Sequence, residues 1–311
     1  MIEEVVSVEL PVHERLVVRK NRLTNEENGI DMPRISIVTG THGDELDGQY
    51  ICYEVARRLK QDLSLLKGTV EIYPALNPLG LDVAQRNIPK VNMDMNRMFP
   101  GRENGTPFER VAAAIVGDLA GADMCLDVHA SDIFVKEIPQ VRVSEEFAER
   151  LLPYARLLNT DMVWLNASAT VHESTLAHSM NMLGVPTLVI EMGVGSRIDR
   201  SYGNQVIEGI FNLLRHMGMW EGHVGNVQEP AISTDGEVEF IRSKEVGVFL
   251  PAIAHNHYVK KGDKLGEIVS PLEGETLDEI IAQKGGLVFT LREYPLVREG
   301  SLLARILTGV E

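Results

Sequence analysis

The stretch Ile35–Glu45, I-S-I-V-T-G-T-H-G-D-E, sets the pattern from which the fold of this 311-residue chain is predicted. Its first five residues are a short apolar run, which is typical of a buried strand, and a glycine-containing turn follows. From Glu45 to Leu63 the apolar residues recur at helical spacing. A buried strand, a turn and a helix in this order are the first unit of an α/β fold.

The same alternation continues along the chain after two short β runs at Val5–Leu10 and Leu16–Arg19. Further strands are predicted at Thr69–Leu76, Met124–Val128, Met162–Leu165 and Pro186–Met192. Further helices are predicted at Phe108–Leu119 (begun by Thr106 and Pro107), Glu145–Leu158, Ser174–Leu183 and Tyr202–Met217. Strands that alternate with helices predict a mainly parallel sheet with helices on both faces.

The pattern changes near Gly222. From Ala231 onward no long helix is predicted, and short β runs separated by glycine occur instead, at Glu237–Arg242, Val246–Leu250, Lys264–Val269, Gly286–Phe289 and Leu302–Ile306. The length of the chain also favours two domains. We therefore predict an α/β domain over residues 1–225 and a small β-rich domain over residues 226–311.

The composition excludes several classes of function. The net charge is −15, so the surface is poorly suited to nucleic acid or to anionic lipid. The two cysteines, Cys52 and Cys125, form no CxxC pair, which argues against a thiolate zinc site or a disulfide framework. The N-terminal residues do not resemble a signal peptide, and no apolar run reaches the ~18 residues of a membrane helix. We expect a cytoplasmic protein.

His42, Glu45 and His129 have the spacing of an incomplete zinc site. Two ligands three residues apart plus a distant histidine suit zinc, and three protein ligands leave one position open, as in catalytic sites. A loop histidine without a metal is the alternative for His42 alone. The carboxyl ends of parallel strands meet at one edge of a sheet, and these residues follow two predicted strands, so the metal site is favoured.

Two carboxylates accompany these ligands. Glu191 ends the apolar strand V-I-E-M-G, and partial burial there would raise its pKa and suit a general base; a solvated strand end is the alternative. Asp127 lies two residues before His129, on the same face of a strand. It could accept the free N–H of a metal-bound imidazole, or it could be an exposed aspartate, and both interpretations stay open.

The predicted loop Gln85–Gly101 and its flank are basic in an acidic chain: Arg86, Lys90, Arg97 and Arg102 stand against Asp94. Arg97 has the planar fork that matches a carboxylate, and Asn96 can donate beside it. Arg86 could stabilise an oxyanion. A basic surface loop paired with neighbouring acids is the alternative, and the composition alone does not decide between them.

As a set, these motifs resemble the succinylglutamate desuccinylase/aspartoacylase family, which is related to M14-type zinc carboxypeptidases. The matching pieces run in family order: G-T-H-G-D-E (40–45), N-P-L-G (77–80), Arg86, D-M-N-R-M-F-P-G (94–101), L-D-V-H (126–129) and V-I-E-M-G (189–193). The resemblance implies that His42, Glu45 and His129 bind one zinc ion and that Glu191 is the base. It also implies that Arg86 polarises the scissile carbonyl and that Asn96 and Arg97 hold the substrate's carboxylate.

The C-terminal part resembles the family's β domain, which is similar to a biotinyl/lipoyl-type barrel. G-V-F-L-P-A (247–252), V-K-K-G-D-K-L-G-E-I (259–268) and V-R-E-G-S-L-L-A-R-I (297–306) carry that likeness. Lys284 lies in the turn where a carrier domain has its modified lysine, but the usual Met-Lys pattern is absent, so an ordinary exposed lysine is expected. No role is assigned to His172, His178, His255 or His257.

Three functions remain open. The first is a zinc-dependent deacylase that hydrolyses the amide of a small N-acyl amino acid bearing a carboxylate. The second is a metallocarboxypeptidase with the same machinery, which would need an open groove rather than a covered site. The third is a non-catalytic small-molecule-binding protein. The sequence does not identify the acyl group or the amine of the substrate. It also leaves open whether the chain forms a homo-oligomer.

Overall fold

The computed structural model describes residues 1–25, 32–89, 91–167 and 173–309. Its strands are β1 (Ile2–Glu9), β2 (Arg15–Thr24), β3 (Arg34–Val38), β4 (Thr69–Tyr73), β5 (Met124–Val128), β6 (Val135–Ser144), β7 (Met162–Asn166), β8 (Thr187–Gly193), β9 (Ala231–Thr234), β10 (Val238–Arg242), β11 (Gly247–Pro251), β12 (His257–Val259), β13 (Lys264–Ser270), β14 (Glu275–Ile281), β15 (Gly286–Arg292), β16 (Leu296–Val297) and β17 (Leu302–Thr308). Its α-helices are α1 (Asp47–Gln61), α2 (Pro78–Asp82), α3 (Pro107–Leu119), α4 (Ala148–Ala155), α5 (Leu176–Met182) and α6 (Arg200–His216).

The centre of the large sheet is parallel, as the alternation of strands and helices predicts. Its four strands lie in the order β4, β3, β5, β8. Helices cover both faces: α1 and α6 pack against Ile35 and Ile37, and α3 and α5 pack against Val38 and Cys125. Because every residue of β4 and β5 is buried, these strands have continuous apolar runs rather than alternation. The α/β fold class is confirmed.

The expectation of a mainly parallel sheet is wrong for the sheet as a whole. Among the described strands of the large sheet, seven pairings are antiparallel and five are parallel. The hairpin of β1 and β2 adds antiparallel strands at one edge. At the other side β6 runs antiparallel to β8 and is followed by β15, β17 and β10, all antiparallel.

Strand β6 is the longest of the strands that the sequence pattern does not predict. Ile138 and Pro139 interrupt its alternation, and the register against β8 shifts between Glu137 and Gln140. β6 also pairs with β15, so strands from residues beyond 226 continue the large sheet. Four other strands form a separate sheet in the order β14, β13, β11, β16. The division into residues 1–225 and 226–311 stays a prediction.

Helix α3 begins as its sequence predicts. The Thr106 hydroxyl accepts a hydrogen bond from the Glu109 amide, the Glu109 carboxylate accepts one from the Thr106 amide, and Pro107 occupies the first turn. In the described ranges, no helix is both long enough and apolar enough to cross a bilayer.

Candidate metal centre and active site

The loop that follows β3 carries His42 and Glu45 and is held by main-chain hydrogen bonds. The Gly43 amide donates to the Gln85 carbonyl over 3.0 Å, and the Asn77 amide donates to the Gly40 carbonyl over 2.8 Å. A Cβ on Gly43 would lie only 1.9 Å from the carbonyl carbon of Gly80, so no side chain fits at this position. The close approach fixes the path of the chain between the two candidate ligands.

His42, Glu45 and His129 lie together and are buried; we call them the metal cluster. Their ligand atoms all lie within 4.8 Å of one another. His42 Nδ1 lies 2.6 Å from Glu45 Oε1, and His129 Nδ1 lies 2.8 Å from Glu45 Oε2. The three strands β3, β5 and β8 are neighbours and parallel, so their carboxyl ends bring these residues and Glu191 to one edge.

Each imidazole of the metal cluster has a second carboxylate on its other side. His42 Nε2 lies 3.1 Å from Asp94 Oδ1. His129 Nε2 lies 3.1 Å from Asp127 Oδ1 at ion-pair distance, but the pair lacks the alignment of a hydrogen bond, and neither atom has another partner among the described residues. Carboxylates in this position orient imidazole ligands and increase their basicity toward a metal.

The charge around the metal cluster fits a divalent cation. Glu45, Asp94 and Asp127 stand against a single arginine, Arg86, which leaves a surplus of two negative charges when both imidazoles are neutral. In the metal-free chain burial alone would raise the pKa of Glu45, but the two imidazoles, when protonated, outweigh burial and lower it. Two histidine nitrogens and a carboxylate form a donor set that zinc accepts. The residues present therefore fit a zinc ion.

The basic loop contributes Arg86, Asn96 and Arg97 to the same cavity. Arg86 donates to Glu45 Oε1 over 3.0 Å and lies 3.6 Å from Asp94 Oδ2. Asn96 Oδ1 accepts a hydrogen bond from the Leu176 amide, which fixes the orientation of its side-chain amide. Arg97 donates to the Asn96 carbonyl over 2.8 Å.

Arg102, by contrast, fits the alternative interpretation of the basic loop, in which an arginine pairs with an acid at the surface. It donates to Glu109, and its side chain is 75% exposed. Lys90, counted with the same basic residues, lies outside the described part of the chain.

Glu191 lines the cavity, and one oxygen of its carboxylate accepts a hydrogen bond from an arginine. Arg142 donates to Glu191 Oε1 over 3.2 Å and to Glu137 Oε2 over 2.7 Å. Arg305 and Thr290 both donate to Glu137 Oε1. Burial raises the pKa of Glu191, although the Arg142 guanidinium opposes this shift. We call Glu137, Arg142, Glu191 and Arg305 the arginine–carboxylate network.

All the predicted site residues border one cavity of about 1880 Å³. These are His42, Glu45, Arg86, Asn96, Arg97, Asp127, His129 and Glu191. Residues from beyond position 226 form another part of its wall, among them Phe240, Val246, Leu296, Arg298 and Arg305. The C-terminal strands therefore bound the same space as the metal cluster.

The remaining histidines take different positions. His178 lines the cavity and lies against the Phe147 ring. His255 donates from Nε2 to the Phe289 carbonyl over 3.0 Å, and its Nδ1 lies 3.1 Å from the Tyr202 hydroxyl, so it links α6 to the C-terminal strands. His257 is exposed on β12. His172 lies outside the described residues.

Four residues of this site were not singled out from the sequence for a role: Asp94, Glu137, Arg142 and Arg305. Asp94 is visible only as the acid that opens the D-M-N-R motif, with nothing to indicate its contact with His42. A signal for Arg305 exists, because a charged residue within the apolar strand L-L-A-R-I requires compensation when it is buried.

Comparison with known proteins finds a family model that matches more than half of the chain and a curated relative. Residues 31–217 match the family model described as the succinylglutamate desuccinylase/aspartoacylase catalytic domain. A curated relative from Halomonas elongata, N-alpha-acetyl-L-2,4-diaminobutyric acid deacetylase, is 25% identical over 291 residues, covering 90% of this chain and 83% of the relative.

Solved structures resemble the whole chain. The product-bound ectoine utilization protein EutE (DoeB) from Ruegeria pomeroyi has a TM-score of 0.84 and 21% identity, covering 97% of this chain and 93% of that chain. A succinylglutamate desuccinylase/aspartoacylase from Rhodobacter sphaeroides has a TM-score of 0.83 and 21% identity, covering 100% and 96%. These likenesses extend over the C-terminal strands as well, so they show a shared overall fold.

Proposed function

Because this chain belongs to the succinylglutamate desuccinylase/aspartoacylase family, we propose that it hydrolyses the amide bond of a small N-acyl amino acid with the help of zinc. The observation that carries the proposal is the metal cluster, which borders one cavity together with the partly buried carboxylate of Glu191 and the forked side chain of Arg97. The relative from Halomonas elongata is named a deacetylase of an N-acetylated amino acid, which supports this substrate class.

Zinc held by His42, Glu45 and His129 would supply Lewis-acid polarisation to an amide carbonyl and to water. Glu191 takes a proton from the attacking water through the carboxylate oxygen that Arg142 leaves free. The water oxygen bonds to the carbonyl carbon, and the C–N bond breaks. Glu191 then gives its proton to the departing nitrogen, so the products are a carboxylic acid and an amine, and transfer of the acid's proton to the amine gives a carboxylate and an ammonium.

Arg86 and Arg97 have separate roles in this proposal. Arg86, next to Glu45, donates to the carbonyl oxygen as negative charge develops on it. Arg97 binds the carboxylate of the amino acid with both arms of its fork, and the Asn96 amide donates beside it. The substrate is thereby oriented with its amide at the metal cluster. Asp127 and Asp94 hold the two imidazoles in place.

A carboxypeptidase activity is less well supported. The C-terminal residues Phe240, Val246 and Leu296 wall the cavity on one side, and the relative from Halomonas elongata is named a deacetylase of an acetylated amino acid. We expect N-acyl amino acids to be hydrolysed faster than peptides, which a parallel assay on both substrate classes measures. Faster release of C-terminal residues from peptides would favour the carboxypeptidase.

The central test is a screen of N-acetyl and N-succinyl amino acids with the zinc-loaded chain and its Glu191→Gln variant. Loss of the general base should lower kcat about 10²–10⁴-fold, while zinc content stays at one ion per chain. Glu103→Gln, on an exposed loop, is the control and should behave like the native chain. Unchanged turnover in Glu191→Gln would refute the assignment of the base. No hydrolysis of any substrate by zinc-loaded native chain would refute the activity.

A further inference from the structure

The arginine–carboxylate network is built from three strands around the candidate base. Glu137 and Arg142 come from β6, Glu191 from β8 and Arg305 from β17. Glu137 is almost fully buried, and the side chains of Arg142 and Arg305 are only 29% and 19% exposed. All four residues line the cavity that contains the metal cluster.

The register of β6 explains how these groups come to face one another. Gln140 lies opposite Glu191, so Arg142, two residues further along, projects from the same face as Glu191. Between Glu137 and Gln140 the strand has one residue more than β8, and this bulge turns Glu137 onto that face as well. A regular strand would have placed Glu137 on the opposite face from Arg142.

The hydrogen bonds of the network form a chain that ends at the base. Arg305 and Thr290 hold one oxygen of Glu137, and the other oxygen accepts from Arg142. Arg142 then holds one oxygen of Glu191 over 3.2 Å. Its fork lies between two carboxylates, so its position is determined from both sides.

We propose that Arg142 is a positioning residue for Glu191, anchored by Glu137, and that Arg305 of the C-terminal strands completes the support through Glu137. The inference rests on the proposed role of Glu191 as proton carrier. It assigns the C-terminal part of the chain a role in the acid–base step, because Arg305 on β17 holds the Glu137 carboxylate that anchors Arg142. The guanidinium both orients Glu191 and stabilises its charged form.

The charged groups that face Glu191 determine the sign of each expected change. In the metal-free structure Arg142, Arg305 and protonated His129 favour its carboxylate, whereas Glu137 and Glu45 disfavour it; the two arginines and Glu137 keep their charges when zinc is bound. Replacing Arg142 with methionine should therefore raise the pKa of Glu191, and Arg305→Met should raise it by less. Glu137→Gln should lower it, since a negative neighbour is lost and Arg142 is left to Glu191 alone.

The experiment follows the Glu191 carboxyl carbon by NMR in the zinc-loaded chain with ¹³C-labelled glutamate, the signal being assigned through Glu191→Gln. The pH profile of kcat/KM is measured on the same variants. Arg142→Met should move the Glu191 midpoint and the acid limb of the profile upward by about one pH unit. Arg142→Lys should keep the midpoint near its native position but lower kcat about tenfold, because an ammonium does not reproduce the fork.

Arg34→Met is the matched control. Arg34 pairs with Glu71 over 2.9 Å, with side chains 22% and 3% exposed, close to the 29% and 2% of Arg142 and Glu137. It does not border the cavity. The Arg34→Met substitution should leave the titration midpoint of Glu191 unchanged, while lowering the free energy of unfolding about as much as Arg142→Met does.

The outcomes separate this inference from the proposed function. Opposite shifts in Arg142→Met and Glu137→Gln support the positioning role even if no substrate is hydrolysed, in which case only the proposed activity fails. A Glu191 midpoint in Arg142→Met equal to that in Arg34→Met overturns the inference. If Arg142→Met does not fold, Arg142→Lys and Glu137→Gln decide the question. The inference is overturned if Arg142→Lys keeps its native kcat and Glu137→Gln does not lower the pKa of Glu191.

Discussion

The metal cluster and the arginine–carboxylate network line the same cavity, yet they satisfy buried charge in different ways. In the network two arginines stand against two glutamates, so the protein supplies both signs. Around the metal cluster, with both imidazoles neutral as metal ligands must be, three carboxylates stand against one arginine, which is itself 39% exposed. A buried surplus of charge is costly unless a counter-ion is bound.

This difference separates a site that is complete within the chain from one that requires a ligand. Removing one member of the network should disturb the base and leave the metal in place. Removing one member of the metal cluster should abolish binding of the cation itself.

His129→Ala should lose bound zinc and reduce hydrolysis to the background rate, a loss of about 10⁴-fold or more, because metal activation and ligand geometry disappear together. Metal analysis and steady-state rates measure both effects. Arg142→Met is the comparison and should retain one zinc ion. A His129→Ala chain that still binds one zinc ion with native affinity would break the distinction.

Gly43→Ala should destabilise the folded chain by about 3 kcal/mol, because the added Cβ would overlap the Gly80 backbone and the ligand loop must move. Zinc affinity should fall with it. Denaturant unfolding and zinc titration measure the two quantities. Gly117→Ala is the control: nothing lies within 4 Å of a Cβ at that position of α3, so it should stabilise the helix by about 0.5–1 kcal/mol. Equal behaviour of the two variants would contradict the close-approach argument.

Arg97→Lys should raise KM for an N-acyl amino acid about tenfold with a smaller change in kcat, because a single ammonium replaces a two-armed contact with the carboxylate. Zinc content should not change. Arg102→Lys, on the exposed flank of the same loop, should leave KM as it is. If both variants raise KM equally, Arg97 does not contact the substrate carboxylate.

The stabilisation by zinc should increase with pH. In the metal-free chain burial lowers the pKa of His42 and of His129, but the neighbouring carboxylates outweigh it and raise both. The two protonated imidazoles therefore stabilise the metal-free fold below their unfolded pKa of about 6.5, and this stabilisation is lost as the pH rises through their raised pKa values. Zinc needs the neutral imidazoles, so its contribution grows over this range.

Thermal unfolding with and without zinc tests this dependence. The increase in Tm on adding zinc should be a few degrees larger at about pH 8 than at about pH 6. His129→Ala should show no such pH dependence. An increase in Tm that is independent of pH in the native chain would contradict the prediction.

Sequence reasoning found the parts of the site that follow strands and missed those that depend on tertiary register. His42, His129 and Glu191 could be placed together because each follows or ends an apolar run, and parallel strands share one carboxyl edge. Arg142 could not be placed, because Pro139 interrupts the alternation of its strand. The contact of Asp94 with His42 depends on how a long loop folds back.

The overestimate of parallel pairing has a related cause. Periodicity identifies strands but does not say which strands pair, and β6 lacks a clear pattern of its own. Without β6, nothing in the sequence connects the C-terminal strands to the central sheet. The sequence predicts β structure for the C-terminal runs, but it does not indicate that they continue the large sheet through β15.

The pairing of β6 with β15 has a consequence for any attempt to express residues 1–225 alone. That truncation would remove β15 and leave Val135, Lys136 and Glu137 with bare amide and carbonyl groups along one side. Unpaired strand edges recruit other strands, so we expect the shortened chain to self-associate. A stable fragment would need a charged or proline-bearing substitution along that margin, or a peptide supplied to occupy it.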